Sequence, residues 1–175
     1  MPIEPTTARD AALVPARAPI AFFCSQSCPG DIILKAQDWA NARVPESVPV
    51  IGGFQTPIER DVLRILLRGG VPVTVVLARA IQGYRMSPAI KAGIAACAAE
   101  IISPFPATQT RTTAVTAEAR NRHILTLCGA ILIAHAALNG KTESLARDAA
   151  ALGLPLLTLN SPANANLIAF GAEVI

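Results

Sequence analysis

The stretch Val50-Ile51-Gly52-Gly53-Phe54-Gln55-Thr56-Pro57-Ile58-Glu59-Arg60-Asp61 decides how this chain is read. An apolar strand runs into paired glycines. Thr56 stands where a helix begins, and Pro57 takes the first helical position, where its missing N–H costs nothing. Glu59 falls three residues after Thr56, the spacing of a capping box. A strand that becomes a helix within four residues is one βα unit. Its turn also presents backbone N–H groups and the positive end of a helix dipole to any nearby anion. Two compatible readings follow: a phosphate-facing loop formed by Gly52, Gly53, Phe54 and Thr56, or a structural loop closed by Thr56 and Glu59. It is not a Walker loop, because no Gly-Lys-Ser/Thr follows at that spacing, and it is not the dinucleotide fingerprint.

The same alternation extends in both directions from this unit. Apolar segments at 19–24, 48–52, 72–78, 100–103, 130–136, 155–159 and 172–175 read as strands. Helical periodicity falls at 30–43, 56–68, 88–99, 115–128 and 140–152, with a last helix opening at Ser161-Pro162. The run 72–78 is continuously apolar and largely β-branched, as suits a strand covered on both faces. Repeated βα units with short connections predict an α/β, three-layer Rossmann-like fold: a mostly parallel sheet with helices on both faces. Residues 1–18 are rich in Pro, Thr and Ala and read as a flexible arm; 19–175 read as one domain.

Composition narrows the class. With 52% hydrophobic and 15% charged residues the chain is densely apolar, and with 4% aromatics its core must be built from Ala, Ile, Leu and Val. The net charge of +3 permits nucleic-acid binding without demanding it. No apolar run reaches the length of a membrane span, and the first residues lack the apolar core of a signal peptide. Cys24, Cys28, Cys97 and Cys128 are expected to be reduced in a cytoplasmic protein. Cys97 and Cys128 lie in apolar helical patterns and read as buried. Cys24 and Cys28 have no second Cys or His pair at a matching spacing, so no metal site is expected. Cys28, before a helix start, reads as the more reactive thiol.

Ligands of parallel sheets bind outside the carboxyl ends of the strands, where strand order reverses. Three polar or Gly-rich segments follow strands and are expected to open on that edge: Ser25 to Gly30, Gly52 to Thr56, and Asn139 to Thr142. Ser25, Gln26 and Ser27 offer small polar groups to a phosphate. Gly140, Lys141 and Thr142 make a second anion-ready helix start. Arg120, Asn121 and Arg122 supply forks suited to phosphates, or else a solvated helix face paired with Glu118. His123 and His135 read as structural. Glu59 and Glu143, the candidate acid–base pair, sit in the first turns of two helices.

Taken in order, several stretches resemble the Rossmann-like domain of the DprA/Smf DNA-processing proteins. They are Cys24-Ser25-Gln26-Ser27-Cys28-Pro29-Gly30, Gly52 to Glu59, Ser103-Pro104-Phe105-Pro106, Arg120-Asn121-Arg122, Gly140-Lys141-Thr142-Glu143 and Asn166-Leu167-Ile168 with Gly171-Ala172. The chain is similar in particular to short, stand-alone DprA-like proteins of the wider SLOG superfamily, which includes the LOG proteins. The resemblance covers about residues 19 to 175. It implies an extended Rossmann-like domain and, from full-length DprA, single-stranded DNA binding and delivery of that DNA to RecA. It also implies a phosphate groove bordered by Gly52-Gly53 and Arg120-Asn121-Arg122, with charge from Lys141, and a dimer. The chain differs from the family at Gln26, where a basic residue is usual, and from LOG proteins at Gln55, where a glycine is usual.

The expected function is therefore binding of a nucleotide or of single-stranded DNA through phosphates, without catalysis and without a resident cofactor beyond a bound nucleotide or phosphate. Phe54, Tyr84 and Phe105 are the loop-placed aromatics available for base stacking. The rival readings are a LOG-like nucleotide N-glycosidase using Glu59 or Glu143, and a non-catalytic dimeric scaffold.

Overall fold

The computed structural model describes residues 17–175. Of the expected arm, only Arg17 and Ala18 fall among them; both are exposed and outside regular structure. The strands are β1 (Ile20–Phe23), β2 (Val50–Gly52), β3 (Val73–Val76), β4 (Ala99–Ile102), β5 (Ala130–Ile133), β6 (Leu156–Thr158) and β7 (Glu173–Val174). The helices are α1 (Gly30–Asn41), α2 (Pro57–Arg68), α3 (Pro88–Ala95), α4 (Ala114–Leu125), α5 (Lys141–Ala151) and α6 (Ala165–Ala169), the last preceded by a 3-10 turn (Pro162–Asn164).

The strands form one parallel sheet in the order β4-β3-β2-β1-β5-β6-β7. The chain starts at the centre, walks outward to β4, returns across the sheet to β5 and walks out the other way. Crossovers of one hand place helices on opposite faces when the direction of travel reverses. The packing agrees. On one face Phe22, Val50 and Leu132 meet Ile32, Ala36, Ile58, Val62 and Leu66 of α1 and α2. On the other, Ala21, Phe23, Ile51, Ile131 and Ile133 meet Ile124, Leu145, Ala146 and Leu167 of α4, α5 and α6. Successive strand residues alternate between these two clusters, as the pleat requires. Full burial of a side chain such as Phe22 contributes about 1.5–3 kcal/mol.

Element limits depart from the sequence reading where the backbone turns. The helix expected over 88–99 ends at Ala95, because Cys97 takes a left-handed conformation (φ 56) and the strand is already entered at Ala99. That turn also leaves Cys97 exposed, where it was expected to be buried. The long apolar runs 72–78 and 130–136 pair only over Val73–Val76 and Ala130–Ile133. Their remaining apolar residues stay buried as they climb into the loops at the carboxyl edge. In α1 the buried stripe is Ile32, Ala36 and Ala40, and Leu34 faces solvent.

Candidate functional site at the carboxyl edge of the sheet

Strand order reverses between β1 and β5, so the loops that follow them flank the crevice where parallel sheets take ligands. These two loops are fastened together. The Ser25 N–H donates to the His135 carbonyl (2.9 Å), and the Ser25 hydroxyl accepts from the Ala137 N–H (2.9 Å). Ser25 is therefore a buried tie, while Gln26 and Ser27, next in the loop, are exposed.

The loop after β2 is fastened from the other side by Glu59. As expected, Thr56 caps α2 in a full capping box. The Glu59 carboxylate does more than close that box. Oε2 accepts from the Gln55 (2.8 Å) and Thr56 (3.2 Å) N–H groups, and Oε1 accepts from the Cys24 N–H (3.0 Å), at the end of β1. Glu59 is buried. Burial pushes its carboxyl above the usual range, opposed by these three amides and by Arg120. The anion that this loop holds is, in part, the protein's own.

Both glycines are crowded by protein groups, Gly53 far more tightly than Gly52. A Cβ on Gly52 would lie 3.1 Å from the Phe54 ring, and one on Gly53 would lie 2.0 Å from Arg120 Nη1. Phe54, with φ 51, folds back into the core beneath its own loop, so it is no stacking platform; Tyr84 and Phe105 remain half-exposed. Arg120 is buried. Nη1 donates to the Val76 carbonyl (3.0 Å), Nη2 to Gln55 Oε1 (3.1 Å) and Nε to Asn121 Oδ1 (2.7 Å). Burial lowers the guanidinium pKa, with Glu59 opposing. Arg120 thus buttresses the Gly52-Gly53 loop from below and ties it to the end of β3. The N–H groups of Gly53 and Phe54, like those of Gln26 and Ser27, make no hydrogen bond among the described residues.

The loop after β5 repeats the device. Gly140 caps α5, and Glu143, buried in its first turn, accepts from the Asn139 N–H (2.9 Å), Asn166 Nδ2 (2.9 Å) and Arg147 (3.2 Å). The Asn166 amide holds this carboxyl below the usual range, with Asn139 and Arg147 adding to the effect and burial opposing it. Thr142 is half-buried. Lys141 and Arg122 are exposed and reach across the groove between α4 and α5, Lys141 to Glu118 (2.7 Å) and Arg122 to Asp148 (3.2 Å). The groove encloses about 150 Å³ and is also lined by Asn121, Ser144 and Leu145. Arg120, Asn121 and Arg122 therefore divide: one is buried under the glycine loop, and the other two line the groove.

A polar cluster over β5 and β6 escaped the sequence reading. Asn164 is fully buried. Its Nδ2 donates to the Ala134 (2.8 Å) and Leu159 (3.0 Å) carbonyls, and its Oδ1 meets His135 Nδ1 at 3.0 Å. Because both amide hydrogens are committed to carbonyls, Oδ1 is the acceptor. His135 then carries its proton on Nδ1 and keeps the Nε2 lone pair free in its neutral form. The pair of asparagines Asn164 and Asn166 in an otherwise apolar last helix was the available signal.

Among the described residues no three His, Cys, Asp or Glu side chains gather in a way that holds a metal ion, and no helix is long and apolar enough to cross a membrane. No family model matches the chain, and no curated protein matches it. Solved structures do. DNA processing protein A (DprA) from Streptococcus pneumoniae superposes with a TM-score of 0.75 at 14% identity, over 91% of this chain and 58% of that one. DprA from Helicobacter pylori, described for its single-stranded DNA binding mode, gives 0.74 at 16% identity, over 91% and 76%. A molybdenum cofactor binding protein from the phototrophic bacterium Rippkaea orientalis gives 0.60 at 14% identity, over 90% and 89%. The chain has a DprA-like Rossmann fold and spans a little over half the length of the Streptococcus protein.

Proposed function

We propose that this chain binds single-stranded DNA through its phosphates, along the carboxyl edge of the sheet where strand order reverses. One observation carries the reading. At that crevice the loops after β1, β2 and β5 are locked to one another by Ser25 and Glu59, and Arg120 ties the β2 loop to the end of β3, while the N–H groups of Gln26, Ser27, Gly53 and Phe54 stay unpaired among the described residues. Rigid, unpaired amides receive phosphate oxygens without the entropy cost of ordering a loop. Lys141, exposed at the start of α5 on that edge, adds charge by releasing its carboxylate partner Glu118 to solvent. The fold shared with a protein described as binding single-stranded DNA supports the choice of ligand.

The N-glycosidase reading loses its chemistry to the same locks. Glu59 and Glu143 each already accept three hydrogen bonds from the protein, which leaves neither in the role of a substrate-facing acid or base. Fluorescence anisotropy with a labelled oligothymidylate, run from low to moderate salt beside a nucleoside monophosphate, tests the proposal. Saturable binding that weakens steeply with salt is expected. No binding of the oligonucleotide at low salt overturns it, and preference for the mononucleotide replaces DNA with a nucleotide as the guest.

A further inference from the structure

The two faces of the sheet are not covered alike. On the face of α1 and α2, Ile90 of α3 carries the core out to Ile101 of β4. On the face of α4, β3 and β4 give the core only Val76 and the half-buried Ile102. Thr74 and Glu100, one pleat earlier on that face, are half-exposed and exposed, and the Thr74 hydroxyl donates to Glu100 Oε1 (2.7 Å). Over this part of the sheet, at the amino ends of its strands, lies a groove of about 780 Å³. Its apolar walls include Ile51 and Ile102 from the strands, Ile94 from α3 and Leu127 after α4. Ile94 and Leu127 are among the exposed large apolar residues.

Two contacts bring the start of the described chain to this groove. Ala18 is held against Gly129, where an added Cβ would lie 2.8 Å from the Ala18 Cβ, and the Pro19 carbonyl accepts from the Gly129 N–H (2.9 Å). Arg17 then lines the groove itself. The segment that precedes Arg17 therefore departs from the groove's mouth. It contains the uncharged apolar tract Ala11-Ala12-Leu13-Val14-Pro15, in which Pro15 biases Val14 toward extended backbone. Six extended residues span about 20 Å. From β2 to β4 is only two strand spacings, about 10 Å.

We propose that residues 11–15 dock across this groove in extended form and cover the amino halves of β3 and β4, which α4, α5 and α6 leave open. A tract tethered at the mouth meets the groove at an effective concentration on the order of millimolar, which favours it over a free partner. The groove lies at the amino edge of the sheet, so the inference does not depend on phosphate binding at the carboxyl edge.

Disulfide trapping in the full chain tests it, with native Cys97 as the reporter, since it is exposed and lines the groove. Val14→Cys and Leu13→Cys, which sample opposite sides of an extended tract, are each incubated with oxidised glutathione, alkylated and mapped by mass. At least one should link to Cys97 within a single chain. Tethering alone would also allow some linkage, so the tract and the wall are each altered at fixed chain length. Leu13→Asn beside Val14→Cys, or Ala12→Asn beside Leu13→Cys, should slow the link about tenfold, as should Leu127→Glu in either background. A linking rate that either kind of change leaves unaltered overturns the proposal, as does the absence of any link to Cys97 from both positions. Links formed only between chains assign the groove to a second copy and overturn it as well.

Discussion

The guanidinium of Arg120 occupies the space that a side chain at Gly53 would need: a Cβ there would stand 2.0 Å from Nη1 and 2.1 Å from Cζ. The pair joins the middle of α4 to the loop after β2, across 67 positions of sequence. It explains the second glycine by an occupant from inside the protein. Arg120 is held by three hydrogen bonds and buried, so it cannot step aside cheaply. Gly53→Ala should cost about 2–4 kcal/mol in urea unfolding, the range for disrupting a buried, hydrogen-bonded charge. The cost of Gly53→Ala should shrink in an Arg120→Ala background, since both changes break the same contact. Additive losses would mean that the two residues act independently.

Glu59 is expected to behave as a structural anchor. Glu59→Gln places an amide donor among three N–H donors and should cost about 2–4 kcal/mol. The check is chemical denaturation beside an assay for release of free base from nucleoside monophosphates. A variant of unchanged stability would show that the carboxylate does not hold the loop.

The two buried glutamates should shape the pH dependence of stability in opposite senses. Burial raises the folded pKa of Glu59, so its contribution is greatest below the ordinary glutamate pKa and is lost as pH rises through the folded value. The Asn166 amide lowers that of Glu143, so its contribution is present above the ordinary pKa and is lost as pH falls through the folded value. Melting temperatures across pH 3–8 should therefore show a shallower acid limb for Glu143→Gln than for the parent chain. For Glu59→Gln, the decline above the carboxylate range should be reduced.

Lys141 and Arg122 make exposed pairs, each worth about 1 kcal/mol or less. Lys141→Ala and Arg122→Ala should leave melting nearly unchanged. Lys141→Ala, at the carboxyl edge, should weaken oligonucleotide binding and reduce the slope of log affinity against log salt by about one, whereas Arg122→Ala, in the last turn of α4, should leave both unchanged. A large loss of stability with no change of slope would make Lys141 structural.

The His135 tautomer is set by Asn164. Long-range nitrogen–proton NMR correlations should show the Nδ1–H form for the neutral ring of the parent chain. Asn164→Ala should mix the tautomers and cost about 2–4 kcal/mol, because the Ala134 and Leu159 carbonyls lose their donor. An unmixed ring in that variant would show that another group holds it.

Much of the fold was legible because its signals are local. Strand and helix periods, Pro57 at a helix start and the Thr56–Glu59 spacing each act over a few residues, and each element expected between residues 19 and 175 has a counterpart in the structure. The ordering of loops toward one edge followed from parallel strands alone. Element ends were less legible, since a single left-handed residue such as Cys97 is decided by what it must connect.

The amino-acid sequence by itself determined the α/β alternation, the capped start of α2 and the identity of the loops that share the carboxyl edge. Only the tertiary structure decided what those loops hold. Glu59 reaches the Cys24 amide across 35 positions, Arg120 reaches the Val76 carbonyl across 44, and Asn164 reaches the Ala134 carbonyl across 30. A carboxylate or a guanidinium on a helix looks the same in sequence whether it faces solvent or its own backbone. Burial separates the two cases, because a buried charge must find its hydrogen bonds within the fold. Here that requirement turned Glu59 and Arg120 inward as supports and left the unpaired amides of the loops, with Lys141, at the edge.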